Sequence, residues 1–148
     1  MVIAASSGRH DRSGCLELLV SNPAICDRYS ALAGAQEPPS LEEATARARQ
    51  IARLATNGDM LAQQVLEESG RYLGIGIANV VWAIDAEVIV IDGAVTDAWR
   101  LIEPLLRAQL PSFRGLLVEP SALRGQAASI GAAMLVWSKE FMRSCSRS

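Results

Sequence analysis

Hydrophobic and polar positions follow two different periods along this chain. From Ser40 to Ala55 the sequence "SLEEATARARQIARLA" repeats small and aliphatic residues one helical turn apart. Ser40 and Glu43, three residues apart, form a capping box, in which a hydroxyl and a carboxylate satisfy the free amides of a helix start. A second helix follows, capped by Thr56 or Asn57, with Leu61, Val65, Leu66, Leu73 and Ile77 at roughly helical spacing. Its first part is amphipathic. Its second part, "LGIGIANVVWAI", is apolar nearly all round, which predicts burial on most sides. Gly70, Gly74 and Gly76 lie within this helix. Each costs about 1 kcal/mol relative to Ala in a helix interior, so together they predict another element packed close to the backbone. A glycine-rich phosphate loop is the alternative. It is disfavoured because the apolar pattern runs through the glycines and such a loop follows a strand.

The period changes at "EVIVIDGAVTDAW", Glu87 to Trp99. Val88–Ile91 reads as a strand, Asp92-Gly93-Ala94 as a turn, and Thr96-Asp97 as the start of a helix running from about 97 to 110. Pro104 kinks that helix or marks its true start. Gly115–Val118 is a second strand, and a last helix spans 127–141 with "SIGAAMLVW" as its buried face. Strand, helix and strand in succession make a right-handed crossover, so the strands are expected to be parallel. Their unbroken aliphatic runs predict a sheet covered on both faces. Two strands alone make too small a sheet. The N-terminal residues, a second copy of the chain, or sequence preceding Met1 would have to extend it. Towards the N-terminus, residues 1–14 read as a short extended piece and a loop. Leu16–Val20 starts a short helix, Pro23 sits near another boundary, and "AGAQEPPS" is a loop. The tail "RSCSRS" is expected to fray.

Composition narrows the picture. At 148 residues, half of them hydrophobic and a fifth charged, the chain is the size of one globular domain over 1–148. Residues 1–39 form a loop and short-helix segment, and 40–148 the helical and strand-helix-strand-helix core. A net charge of −2 leaves no basic footprint, which argues against direct nucleic-acid binding by this chain. Cys15, Cys26 and Cys145 are odd in number and scattered, as expected of reduced thiols in a cytoplasmic protein. The most apolar stretch, 73–91, carries Asp85 and Glu87 and reads as core rather than membrane. With one histidine in a polar loop, neither a Ser-His-Asp nor a Cys-His arrangement is expected.

Three segments then fall in a recognisable order: "SGCLELLVS" at 13–21, "GRYLGIGIANVVWAIDAEVIVIDGAV" at 70–95 and "GQAASIGAAMLVW" at 125–137. From about residue 13 to 138 the chain resembles the C-terminal half of the ROK family of bacterial sugar kinases and sugar-responsive transcriptional repressors. The resemblance implies an α/β fold. The chain would be the C-terminal part of an actin-like ATPase (ribonuclease H-like) lobe, helix-rich with a small parallel sheet. In that family the "GCLE" element supplies a glutamate that hydrogen-bonds sugar hydroxyls, and Glu17 matches it. The cysteine of the same element is a structural zinc ligand, and Cys15 matches that position. The family's two preceding cysteines fall near Gly8 and His10, and its zinc histidine would lie at or before Met1. His10 is either a substitute ligand or, as favoured here, a surface loop residue. Two ligands do not close a tetrahedral site, so the zinc element is degenerate and no metal is expected.

ROK kinases end the strand before the nucleotide in two or three glycines. Here Gly93 matches well and Ala94 weakly as nucleotide-contacting positions. A carboxylate at Asp92 would repel phosphate unless a cation intervened, so the turn is read as structural. The family's DxGxT turn, its general-base aspartate and its GExGH segment are not found, and phosphoryl transfer needs such a set together. Asp92 and Glu119 are read equally well as solvated carboxylates at strand ends. No catalytic residue is assigned, and neither zinc nor Mg-ATP is expected as a cofactor.

Three readings remain. The chain is a truncated, non-catalytic sugar-sensing and dimerisation module of a ROK-type regulator. Or it is a lobe of a ROK sugar kinase, with Glu17 on sugar and Gly93 on ATP, whose other half lies elsewhere. Or it is a stand-alone oligomer without ligand. A homodimer is expected under all three.

Overall fold

The computed structural model describes residues 15–34, 40–110, 115–123 and 125–137, without the side chains of Leu41, Val136 and Trp137. Its elements are α1 (Glu17–Val20), α2 (Asn22–Leu32), α3 (Leu41–Thr56), α4 (Met60–Ile84), β1 (Val88–Ile91), a 3-10 helix (Ala94–Ala98), α5 (Trp99–Arg107), β2 (Leu117–Pro120) and α6 (Ala127–Trp137). The expectations for 1–14, including His10, and for the tail beyond 137 fall outside the described residues.

Local chemistry sets most boundaries. The Glu43 carboxylate accepts from the Ser40 amide at 3.2 Å and from the Ser40 hydroxyl at 2.8 Å, so the expected capping box starts α3. Pro23 lies in the first turn of α2, where its missing N–H costs nothing. The cap of α4 is neither Thr56 nor Asn57. Asp59 holds that place, accepting from the Ala62 amide at 2.8 Å. Thr56 instead donates back to the Ala52 carbonyl, and Asn57 closes α3. Gly58, at φ +97°, makes the turn that separates the two helices.

The expected 97–110 helix divides. A 3-10 turn takes 94–98 and α5 begins at Trp99, so Pro104 lies inside α5 rather than at its start. The second strand lies two residues later than expected. Gly115, at φ +98°, serves as turn, and pairing begins at Leu117 opposite Val88. The strands are parallel, in the order β1-β2. Beyond their register, Leu117 donates to the Glu87 carbonyl and Ser121 to the Ile91 carbonyl.

The core forms where α2, α3, α4 and α5 meet one face of the sheet. Ile25, Ile51, Leu66, Ile102, Leu106 and Val118 are fully enclosed there. Gly70 and Gly74 of α4 behave as their cost predicts. A Cβ on Gly70 would stand 3.2 Å from the Ile102 carbonyl oxygen, and one on Gly74 would stand 2.5 Å from the Leu106 carbonyl oxygen. At Gly74 only a glycine lets α5 come this near, and at Gly70 a methyl group would need α5 to give slightly. Two polar ties join the outer helices to this core. Arg28 of α2 donates to Ser69 of α4 at 2.7 Å, and the Cys26 thiol donates to the Ala44 carbonyl of α3 at 3.4 Å.

Three expectations of burial fail. The sheet is covered on one face only. Ile89, Ile91 and Val118 face the core, while Val88 (53%), Val90 (63%) and Leu117 (48%) stand exposed. The apolar helix α6 is not buried, with Met134 67% and Leu135 63% exposed. The end of α4 is open as well, with Ile84 68% exposed. The apolar runs foretell a covered sheet, but among the described residues nothing lies on its outer face. No helix among these residues is long and apolar enough to cross a membrane.

Candidate functional site

Ligands of open α/β sheets bind in the crevice outside the carboxyl ends of parallel strands. Here that crevice is bounded by the turn after β1, the residues after β2, and the C-terminal half of α3. The turn is built around Gly93. Its φ of +118° and ψ of −179° belong to a region that side chains rarely adopt, and no atom lies within 4 Å of where a Cβ would stand. The Thr96 hydroxyl closes the turn by donating to the Gly93 carbonyl at 2.7 Å, beside the Thr96 amide at 3.2 Å. Ala94 turns its methyl into the core, leaving only its backbone at the turn.

Asp92 makes the most definite polar contact in the crevice. Its carboxylate accepts from the Gly125 amide at 2.5 Å and from the Ala127 amide at 3.2 Å, the free donors at the start of α6. Burial acts to raise its pKa. The amides of Gly125, Ala127 and Gly93 and the charge of Arg49 outweigh burial, so the pKa is lowered and the carboxylate stays ionised. Asp92 therefore joins β1 to α6. The carboxylate occupies amides that an anionic ligand would otherwise find free.

Arg49 and Arg53, one turn apart on α3, form the opposite wall. Arg49 Nη1 lies 4.0 Å from Asp97 Oδ2, a loose ion pair. Its Nη2 passes so close to Gly125 that a Cβ there would stand 2.8 Å away. Together with Thr96, Asp97, Pro120 and Ser121 these arginines line a hollow of about 570 Å³. A second hollow of about 600 Å³, lined by Gln63, Trp99 and Leu101, adjoins it across Thr96 and Asp97. Neither arginine was singled out in the sequence. The only signal was a pair four residues apart beside the buried stripe of α3, and nothing in that spacing says which element it faces.

The other sequence candidates lie apart from the crevice in the order of packing. Glu17 is exposed at the start of α1, which packs on α2 and α4. Cys15 beside it is a half-buried free thiol. Helix α3 touches both α2 and the 3-10 turn, so it links the α1 side to the crevice. Among the described residues no three His, Cys, Asp or Glu side chains cluster as metal ligands. Glu119 is exposed on β2, paired in register with Val90.

Residues 5–139 match the ROK family. Over 136 residues the chain is 34% identical to the DNA-binding transcriptional dual regulator NagC of Escherichia coli K12, covering 82% of this chain and 33% of that protein. The N-acetylglucosamine repressor of Shigella flexneri matches to the same extent. A ROK family transcriptional regulator described as a homolog of the E. coli MLC protein superposes with a TM-score of 0.72 at 31% identity, over 91% of this chain and 36% of its own. The ROK hexokinase of Thermus thermophilus superposes at 0.68 and 23% identity, over 90% of this chain and 45% of its own. The chain spans about a third of the length of the curated relatives it matches. These structural neighbours have the actin-like ATPase fold, and this chain has the form of its helix-rich C-terminal part with a small parallel sheet.

Proposed function

The chain belongs to the ROK family, and from that premise we propose that it is the C-terminal sugar-sensing and dimerisation module of a ROK-type transcriptional regulator, with no phosphoryl-transfer chemistry of its own. The observation that carries this reading is the bond from Asp92 to the amides of Gly125 and Ala127. A carboxylate fixed at the turn repels a polyphosphate and uses the donors that would bind one. The names of the relatives at 31–34% identity, regulators and repressors, point the same way.

In this reading Glu17 accepts hydrogen bonds from sugar hydroxyls, an acceptor-only role that an exposed carboxylate suits. Dimerisation uses the outer sheet face, where Val88, Val90 and Leu117 make an apolar surface between two open strand edges. The chain itself makes no contact with DNA, in keeping with its net charge of −2.

The test is calorimetric titration of the chain with N-acetylglucosamine, glucose and xylose. Saturable heat that disappears in Glu17→Ala is expected. Silence with all three sugars from a folded chain, or heat unchanged in Glu17→Ala, would overturn the sugar-sensing role.

A second reading rests on Gly93. Its conformation and the open space beside it suit a backbone approached by a nucleotide, which would make the chain a lobe of a ROK sugar kinase completed by another half. Formation of sugar phosphate from Mg-ATP, with the complementary half added, would favour it.

A further inference from the structure

We infer that a second copy of the chain covers the outer sheet face with its α6, so that two elements left open in one chain close each other in the pair. This exchange rests on the dimerisation reading above and names what lies on the face. The sheet alone is too small an interface. It offers Val88 and Val90 on β1, and Leu117 and Glu119 opposite them on β2. A standard interface takes about 800 Å² and about 20 residues or more from each partner. Helix α6 adds 11 residues to the 4 of each strand, and only together do they approach that size. From Ala128 to Leu135 every residue of α6 is exposed, and among the described residues no other element packs along it. Its sequence, AASIGAAMLVW, carries no charge, which is the composition of a helix made to be buried.

The dimensions fit. A helix of 11 residues is about 16 Å long and about 10 Å across. Strands of four residues are about 13 Å long and lie about 5 Å apart. One helix therefore covers the face. Ile130 and Met134, one turn apart, give a ridge to set against Val88, Val90 and Leu117. Glu119, the one charge on the face, lies beside the last pair of the register and stays at the rim. The helix comes from the second copy because Asp92 holds the start of α6 at the strand ends. In that position α6 and the sheet face of its own chain both stand exposed. A two-fold pair makes the contact twice.

The test is disulfide trapping between two variants of the full chain, Val90→Cys and Met134→Cys, each also carrying Cys15→Ser and Cys145→Ser. Cys26 is buried and stays. Positions 90 and 134 are 63% and 67% exposed, so both variants are expected to fold. Oxidised as a mixture, they are expected to give at least tenfold more covalent dimer than either gives alone. With both cysteines in one chain, the disulfide is expected to link two chains. A disulfide within one chain would show α6 closing on its own sheet and overturn the exchange. Covalent dimer from Val90→Cys alone would show two sheets meeting face to face and overturn it too. A chain that sediments as a dimer yet gives no mixed disulfide would overturn the exchange alone. A chain that sediments as a monomer would overturn the dimerisation reading with it.

Discussion

The two sides of this molecule are built to different standards. On one side α4 and α5 meet through glycines so closely that Gly74 has no room for a methyl group. On the other side the outer face of a two-stranded sheet and α6 at Ile130, Met134 and Leu135 carry apolar residues that stand exposed among the described residues. The helical side encloses its core through α4 and α5. The sheet side has the composition of an interior and the exposure of a surface. Apolar runs thus report what a segment is made to touch, which need not be another part of the same chain.

The largest effect is expected at the tight seam. Gly74→Val should cost about 3 kcal/mol or more, because its side chain meets the Leu106 carbonyl, which is backbone and cannot swing aside, as well as the Gln109 side chain. Gly70→Ala should stay within about 1 kcal/mol of the parent. Its contacts of 3.2 Å are tight but need only a few tenths of an ångström of give, and the helix gains about 1 kcal/mol on losing a glycine. Urea denaturation of both variants would show whether the seam is as graded as the distances say. Equal losses would contradict it.

Next comes the link between the two sides. Asp92→Asn should cost about 1–2 kcal/mol at neutral pH, the worth of a charged cap on free helix amides. The folded pKa of Asp92 lies below its unfolded value, so its contribution is complete above the unfolded pKa and is lost as pH falls through the folded one. Parent and variant should therefore converge in stability under acid. A gap that persists or widens as pH falls would contradict this account of Asp92. A smaller loss, about 1 kcal/mol, is expected from Ser40→Ala at the start of α3, seen as a lowered melting temperature.

The helical side was the more legible in the sequence, for physical reasons. Helix spacing and the Ser40–Glu43 box are local signals, satisfied locally, and the cost of Gly70 and Gly74 is a local signal that a distant element, α5, answers. The parallel pairing of Val88–Ile91 was legible too, because strand, helix and strand permit one handedness. What could not be read depended on contacts between distant elements. Asp59 rather than Thr56 or Asn57 caps α4 because Gly58 turns the chain there. The second strand starts at Leu117 because it pairs with β1, and no feature of "GLLV" alone sets that register. The site was legible only in part. Gly93 was visible as a turn glycine and the turn as structural, while Asp92 itself read as a solvated carboxylate at a strand end. Its partners at Gly125 and Ala127, more than thirty residues on, were not. Arg49 and Arg53 were invisible as site residues because α3 meets the strand ends only in the folded chain.

The smallest stability effect is expected from placing charge on the uncovered sheet face, since exposed positions seldom change stability by more than about 0.5 kcal/mol. That makes the face a clean place to test the contrast between the two sides, and with it dimerisation. Sedimentation equilibrium of the chain and of its Val88→Lys, Val90→Lys double variant is the direct measurement. The account predicts a dimer that the double variant converts to a monomer with unchanged helix content. A chain that is monomeric from the start, or a dimer indifferent to both lysines, would contradict it.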